Sequence, residues 1–330
     1  MKTNYKESER KRAIQLIINS DLFDYEKAGK KFFGKERDFV LMNGEKNLYK
    51  EIRKEVIKYY ANNRISWWGG GKPTGHVLSS QVACLNHLFH IRKDKEAVTR
   101  MVKNISTDFV DVNEISTDKY SPGYIQFEAV SDHDNLNEGS PRRGNNCTSI
   151  DALVYAQHKD GSKWIIPIEW KYTENYSNQN KAIEGYKKDP INCKGETRKK
   201  RYTELINNSA HLSNMDHNCY YYEPFYQLMR QTLWAEQLVK NKDKETIKAD
   251  YFLHVHAIPP ENRNLLNKIY KYSRKDMTTT WGDLLKDKSK YKIISPQTLL
   301  LNCLDNAKYQ DLKNYLSQRY WNLQIQYSSQ

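Results

Sequence analysis

The segment 148–174 constrains the fold more than any other part of the chain. Apolar residues occupy alternate positions over 149–155 and again over 164–171, and this period of two predicts two β-strands. The dipeptide Asp160-Gly161 lies between them and favours a tight turn, because glycine accepts the positive φ that such turns need. The segment therefore predicts an antiparallel β-hairpin.

Two acids and a lysine occupy fixed places on this hairpin. Asp151 lies near the start of the first strand, and Glu169 and Lys171 share one face at the end of the second. Two carboxylates suit a hard divalent cation such as Mg²⁺. A neighbouring lysine can orient a water molecule or stabilise developing negative charge. The pattern indicates metal-assisted hydrolysis, and the alternative is a surface strand that carries a simple ion pair.

The acid-x-Lys pattern alone is weak evidence, because it also occurs at 9–11 and 311–313. Those two triplets lie in charged, helix-like segments with no Asp-bearing strand before them. Only Glu169-Trp170-Lys171 ends an apolar strand that follows Asp151. This context favours the catalytic interpretation of the hairpin.

Asp151 followed by Glu169-Trp170-Lys171 on the next strand resembles the PD-(D/E)XK nuclease superfamily. The stretches 144–156, 166–174 and 67–89 are similar to a bacterial branch of restriction endonucleases, and the resemblance spans about residues 65–258. It implies a restriction-endonuclease-like α/β core with a central mixed four-stranded sheet flanked by helices. It also implies that Asp151 and Glu169 bind metal and that Lys171 is the catalytic lysine.

The chain departs from the superfamily pattern at two positions. Ile150 stands where a proline often precedes the first acid, and Pro167 lies inside the second strand. A proline removes a hydrogen-bond donor from a strand, so Pro167 indicates a bulge or an edge position.

Two further strands are predicted around the hairpin. The stretch 124–130 reads as the first strand of the sheet, and its Glu128 is a candidate third metal ligand, with a solvated strand-end acid as the equal alternative. The stretch 250–258 reads as the last strand. His254 and His256 share one face of it, which we interpret as packing on the sheet in preference to metal binding.

Six polar residues are candidates for contact with nucleic acid, and ordinary surface positions are the alternative for each. The resemblance implies that the helix before the sheet lends a polar side chain to the site and that the helix after the catalytic strand borders the nucleic acid. The glycine-rich loop 67–75 supplies a lysine but does not fit a phosphate loop, because Ser66 and Pro73 occupy required positions. The candidates are Lys72, Gln81, Arg143, Gln227, Arg230 and Gln231.

The chain of 330 residues has a formal net charge of +13, which favours polyanionic partners. The alternative is a basic protein whose net charge does not reflect a polyanionic partner. No apolar run indicates a signal peptide or a membrane span. The five cysteines are scattered and odd in number, so reduced thiols in the cytoplasm are the simplest expectation.

These observations together predict three regions. Residues 1–64 form a helical N-terminal extension, residues 65–258 form the nuclease core, and residues 259–330 form a helical C-terminal extension packed on the core. No linker rich in proline, glycine or serine divides them.

The predicted function is Mg²⁺-dependent cleavage of DNA by an endonuclease of restriction or phage defence, with Mn²⁺ as a second metal. The expected partners are DNA, a second copy in a homodimer, and a methyltransferase. One alternative is a non-catalytic nucleic-acid-binding module. Another is a nuclease that acts on RNA or repair intermediates.

Overall fold

The computed structural model describes residues 4–116, 122–139, 143, 147–214 and 219–321. The helices of these ranges are α1 (Tyr5–Asn19), α2 (Arg53–Asn62), α3 (Ser80–Leu88), α4 (Lys95–Ile105), α5 (Lys194–Asn207), α6 (Phe225–Lys240), α7 (Arg263–Leu266), α8 (Met277–Leu284), α9 (Pro296–Leu299) and α10 (Gln310–Leu316). The strands are β1 (Lys31–Phe32), β2 (Lys35–Glu36), β3 (Phe109–Asn113), β4 (Ile125–Ala129), β5 (Ile150–His158), β6 (Lys163–Trp170), β7 (Tyr251–Phe252), β8 (His254–Ala257) and β9 (Tyr291–Ile294).

Strands β3 to β9 form one mixed sheet. Strand β5 pairs antiparallel with β6 on one side, and β3 and β4 pair antiparallel with successive parts of its other side. Strands β7 and β8 both pair parallel with β6, and β9 pairs parallel with β8. The pairing places β5 and β6 at the centre of the sheet.

A mixed α/β sheet flanked by helices was predicted and is confirmed, but its size was underestimated. Strand β9 adds a position in the C-terminal region, where only helices were predicted, and β3 adds to the edge outside the strands that the sequence predicted. Strands β1 and β2 form a separate two-stranded sheet in the N-terminal region. These strands have only two to five residues, too few for an alternating pattern to stand out from the surrounding sequence. The boundaries of the three predicted regions stay a prediction.

The predicted hairpin is present, and Pro167 does not disturb its register. Ile166, Pro167 and Ile168 pair in sequence with Val154, Leu153 and Ala152. Pro167 is therefore neither at a bulge nor on an edge strand. Pro167 has no N–H to donate. It lies between the part of β6 that pairs with β7 and the part that pairs with β8, so no ladder bond is required there. A proline is tolerated here because the neighbouring strand does not require its N–H.

Two apolar clusters cover the two faces of the sheet. Ile166, Ile168 and Trp170 point into the cluster that includes α3 and α4, as their shared face predicted. Leu153 and Ile165 belong to the opposite cluster, which includes α5 and α6. Since side chains alternate along a strand, Glu169 and Lys171 lie on the α6 face.

We expect Ile166→Ala to lower the free energy of unfolding by about 2–5 kcal/mol, because Ile166 is fully buried and the cavity left behind adds to the lost apolar burial. Urea denaturation measures the change. The control is Ile191→Ala, because Ile191 is 71% exposed, and its effect should stay within about 0.5 kcal/mol. Equal effects of the two substitutions would contradict the assigned core.

Candidate functional site

Three acids lie side by side across three neighbouring strands. The pairs Phe127–Ala152 and Ala129–Ile150 flank Glu128 and Asp151, so the register places these two acids opposite each other. Extending the β5–β6 register by one residue beyond Ala152–Ile168 places Asp151 opposite Glu169. We call Glu128, Asp151 and Glu169 the acidic row.

The acidic row and Lys171 line one cavity of about 550 Å³. The structure thus brings together all four residues that the sequence nominated for metal binding and catalysis. Gln81 and Gln227, two of the nucleic-acid candidates, line the same cavity.

Glu128 is held in a strained position at the edge of the row. Its φ of 49° lies in the left-handed region, which residues other than glycine adopt at a cost of about 1–3 kcal/mol. Gln81 Nε2 donates to its Oε1 at 2.7 Å, and Ser149 Oγ donates to its Oε2 at 2.8 Å. Arg143 Nε donates to its carbonyl oxygen at 3.2 Å. Strain that is maintained by so many partners is typical of a functional position.

Asp151 is the central acid of the row and keeps one oxygen available. The backbone N–H of Trp170 donates to Oδ2 at 2.8 Å, while Oδ1 accepts no hydrogen bond from any described residue. Burial raises the pKa of Asp151 well above its usual range, and repulsion by Glu169 and Glu128 adds to the effect. Burial also raises the pKa of Glu128, against the lowering effect of its two hydrogen bonds. A nearby cation would relieve this repulsion.

Glu169 and Lys171 form a buried ion pair at the end of β6. Their side chains are 3% and 5% exposed, and Lys171 Nζ donates to Glu169 Oε1 at 2.5 Å. Burial lowers the pKa of the Lys171 ammonium, but the neighbouring acidic groups, Glu169 foremost, together outweigh burial, and the net pKa is raised well above its usual value. Lys171 is therefore protonated at neutral pH.

Two glutamines of α6, one turn apart, hold this ion pair. Gln227 accepts from Lys171 Nζ at 2.6 Å and donates to Glu169 Oε1 at 2.6 Å. Gln231 donates to Glu169 Oε2 and is 1% exposed, so it is not the plain surface residue that the sequence left open. The sequence named both glutamines as candidates for contact with nucleic acid but could not show that their face of α6 meets β6.

His254 fixes the orientation of Gln231. Burial lowers the pKa of His254 to about 3, so the ring is neutral at pH 7. Its Nδ1 lies 3.3 Å from Thr232 Oγ1, and its Nε2 lies 3.1 Å from Gln231 Oε1. Since Gln231 Oε1 can only accept, His254 Nε2 carries the proton, and the Gln231 amide is turned toward Glu169. His254 is thus buried where β8 meets α6, and its packing on the sheet agrees with the prediction.

The remaining nucleic-acid candidates, Arg143, Arg230 and Lys72, do not line the cavity of the acidic row. Arg143 donates to Tyr59 Oη at 2.8 Å as well as to the backbone of β4. Arg230 donates to Thr148 Oγ1 at 3.2 Å and so holds the segment that enters β5. Lys72 lines a neighbouring cavity of about 270 Å³. Contact of these residues with nucleic acid stays a prediction.

The other two acid-x-Lys triplets differ from each other in their surroundings. Glu9 on α1 is 8% exposed and accepts from Tyr172 Oη at 2.6 Å, directly after the catalytic candidate Lys171. Asp311 on α10 is exposed. Asp311 is therefore a suitable control for substitutions in the row, whereas Glu9 belongs to the packing around β6.

The donor set of the row fits a hard divalent cation. All three side chains offer carboxylate oxygens, and hard cations such as Mg²⁺ prefer oxygen ligands. Within the described ranges, no three Asp, Glu, His or Cys side chains already converge as a metal-coordinating group. The Glu128 and Glu169 carboxylates instead accept hydrogen bonds from glutamine amides, and Glu169 also accepts one from Lys171.

Sequence reasoning missed the aromatic side of the cavity. Four ring-bearing residues line this side of the cavity, namely Phe32, Phe33, Trp68 and His76. The run Lys31-Phe32-Phe33-Gly34-Lys35 places two apolar rings between lysines, and Trp68 lies in the glycine-rich loop 67–75.

Comparison with known protein families places the chain among restriction-endonuclease-like proteins. The family model described as Restriction Endonuclease associating with ARP matches residues 13–321, and the chain belongs to this family. Membership indicates a nuclease role. No curated protein and no solved structure matches the chain. Among the described residues, no helix has the length and apolar character needed to cross a membrane, and none of the five cysteines forms a disulfide.

We expect Asp151→Asn to raise the melting temperature at about pH 8 in EDTA and to lose this advantage toward about pH 4. The unfolded chain releases the Asp151 proton near pH 3.8, whereas the folded protein retains it to higher pH. The free energy of unfolding of the parent therefore falls as pH rises between the two pKa values. Thermal denaturation across this range tests the sign. Asp311→Asn is the control, and an equal gain from it would contradict the role of burial.

Proposed function

We propose that the chain is a Mg²⁺-dependent endonuclease that hydrolyses phosphodiester bonds of DNA in restriction or phage defence. The observation that carries the proposal is the acidic row, which shares one cavity with a buried, protonated lysine. The net charge of +13 and the family membership support a polyanionic substrate. A homodimer and a partner methyltransferase stay predictions.

Asp151 and Glu169 would hold the cation, with Glu128 as a third ligand. Asp151 offers the oxygen that accepts no hydrogen bond from the described residues. When bound, the cation supplies polarisation of a phosphoryl oxygen and a lower pKa for water. Mn²⁺ suits the same oxygen ligands.

Lys171 would stabilise the negative charge that develops on the phosphate. Its raised pKa keeps it protonated at neutral pH, so it cannot accept a proton from water there. Gln227 accepts a hydrogen bond from Nζ and so helps to hold the ammonium beside Glu169. This is electrostatic stabilisation by a preorganised donor.

We expect Asp151→Asn to abolish cleavage, because it removes the central charge of the row, and to preserve DNA binding. Lys171→Met keeps much of the side-chain volume and should lower the cleavage rate by about 10²–10³-fold, the scale for losing one preorganised electrostatic donor. Cleavage of plasmid DNA in Mg²⁺ and in EDTA measures both effects. Asp311→Asn should cut like the parent. Parent-like cleavage by Asp151→Asn would refute the proposed site.

Gln231→Ala should weaken the affinity for Mg²⁺ by about 10–100-fold, because this side chain orients Glu169 without being a proposed ligand. Titration of cleavage against Mg²⁺ gives the apparent affinity. The control is Gln237→Ala on the same helix, which has no hydrogen bond to the row. An unchanged Mg²⁺ dependence for Gln231→Ala would assign Gln231 to packing alone.

The two alternatives make different predictions with the same purified protein. A non-catalytic binding module would bind plasmid but leave it intact in Mg²⁺. A nuclease for RNA or repair intermediates would prefer those substrates in a panel of labelled duplex DNA, RNA and branched DNA. Preferred Mg²⁺-dependent cleavage of duplex DNA supports the proposal over both.

A further inference from the structure

An aromatic surface borders the acidic row. It consists of Phe32, Phe33, Trp68 and His76, which we call the aromatic rim, and all four line the cavity of the row. The ring of Phe32 lies 4.4 Å from that of Phe33, 5.8 Å from that of Trp68 and 4.7 Å from that of His76. The rings of Phe33 and Trp68 are nevertheless accessible, since these residues are 84% and 50% exposed.

Phe33 is an unfavourable residue for its position in the turn of the β1–β2 hairpin. Strands β1 and β2 pair through Phe32–Lys35, so Phe33 and Gly34 form a two-residue turn. Both have positive φ, 49° for Phe33 and 75° for Gly34, a combination for which asparagine or glycine is the usual first residue. A bulky side chain at positive φ is an outlier. Phe33 is also almost fully exposed, so neither its backbone conformation nor its burial explains its presence.

Gln81 connects the aromatic rim to the acidic row. The backbone N–H of Trp68 donates to Gln81 Oε1 at 3.3 Å, and Gln81 Nε2 donates to Glu128 Oε1 at 2.7 Å. The Gln81 amide therefore holds both the backbone of Trp68 in the aromatic rim and the carboxylate of Glu128 in the acidic row. A ligand in the cavity would contact both.

Basic side chains surround the rim. Lys6 lines the cavity of the row, and Lys30, Lys31 and Lys72 line the adjoining cavity together with Phe32 and Trp68. Aromatic rings beside lysines match the two chemical parts of a nucleic acid, since bases stack on rings and phosphates attract ammonium groups. This combination favours a nucleic acid over a purely apolar partner.

We propose that the aromatic rim is a stacking platform for a base that is turned out of the DNA duplex at the cleavage site, with Phe33 as its principal ring. The proposal rests on the proposed nuclease function, because it names how the same cavity holds its substrate. Stacking uses the π-face that every base has, so the platform is tolerant of sequence. The acidic row then meets the phosphodiester next to the stacked base.

The test compares two probes of equal length and charge, a fluorescent single-stranded DNA and its abasic counterpart. Binding is measured by fluorescence anisotropy in EDTA, so that no cleavage occurs. The parent should bind the base-bearing strand more tightly than the abasic strand. Phe33→Ala should weaken binding of the base-bearing strand by about 5–150-fold and leave binding of the abasic strand unchanged. Phe33→Trp should keep the preference.

Tyr25→Ala is the matched control. Tyr25 is 79% exposed and has a positive φ of 56°, but it lines a different cavity together with Asp21 and Asp24. Its substitution should leave both affinities unchanged. A parent without preference for bases, or Phe33→Ala with the full preference, would overturn the stacking platform. If the parent still cuts DNA in Mg²⁺, that failure leaves the nuclease proposal intact, whereas absence of Mg²⁺-dependent cutting refutes the nuclease proposal itself.

Discussion

The crowding of three carboxylates at the ends of adjacent strands is the constraint on which the site depends. Register fixes it, because Glu128, Asp151 and Glu169 occupy one row across β4, β5 and β6. Burial raises the pKa of Asp151 well above its usual range, and repulsion by Glu169 and Glu128 raises that pKa further. A core built only for stability would not retain such a row, since apolar residues of similar volume would remove the repulsion.

The surrounding structure supports the row from both faces of the sheet. Gln81 at the start of α3 holds Glu128, and Gln227 and Gln231 of α6 hold Glu169 and Lys171. Neutral His254 orients Gln231 from the neighbouring strand. Amide donors orient the carboxyl groups and leave their oxygens able to ligate a cation. The hydrogen bonds therefore hold the acids of the row in place, and the carboxyl groups still favour a bound cation.

The sequence was most informative where the signal is local. Alternation over 149–155 and 164–171, with Asp160-Gly161 between, predicts the hairpin, and the hairpin alone brings Asp151 near Glu169. Glu128 was predicted as a third ligand because it is an acid on the strand predicted before the hairpin. The partners of the row could not be predicted in the same way. Gln231 and His254 are separated by 23 positions, and their contact depends on how α6 packs on β8.

Short elements explain most of the remaining differences. Strand β9 and the β1–β2 hairpin are held by pairing with their neighbours, and their own residues have too little periodicity to reveal them. The aromatic rim was missed for the same reason, because Phe32 and Phe33 read as part of a charged helical region.

Calorimetric titration of the parent with Mn²⁺ at about pH 7, in buffers of different ionisation enthalpy, tests the central claim most directly. Carboxyl groups with raised pKa values must release protons when a cation binds. We predict saturable binding with a heat that changes with the buffer, and loss of both features in Asp151→Asn. Absence of binding to the parent, or equal binding by Asp151→Asn, would contradict the assignment of the acidic row as a cation site.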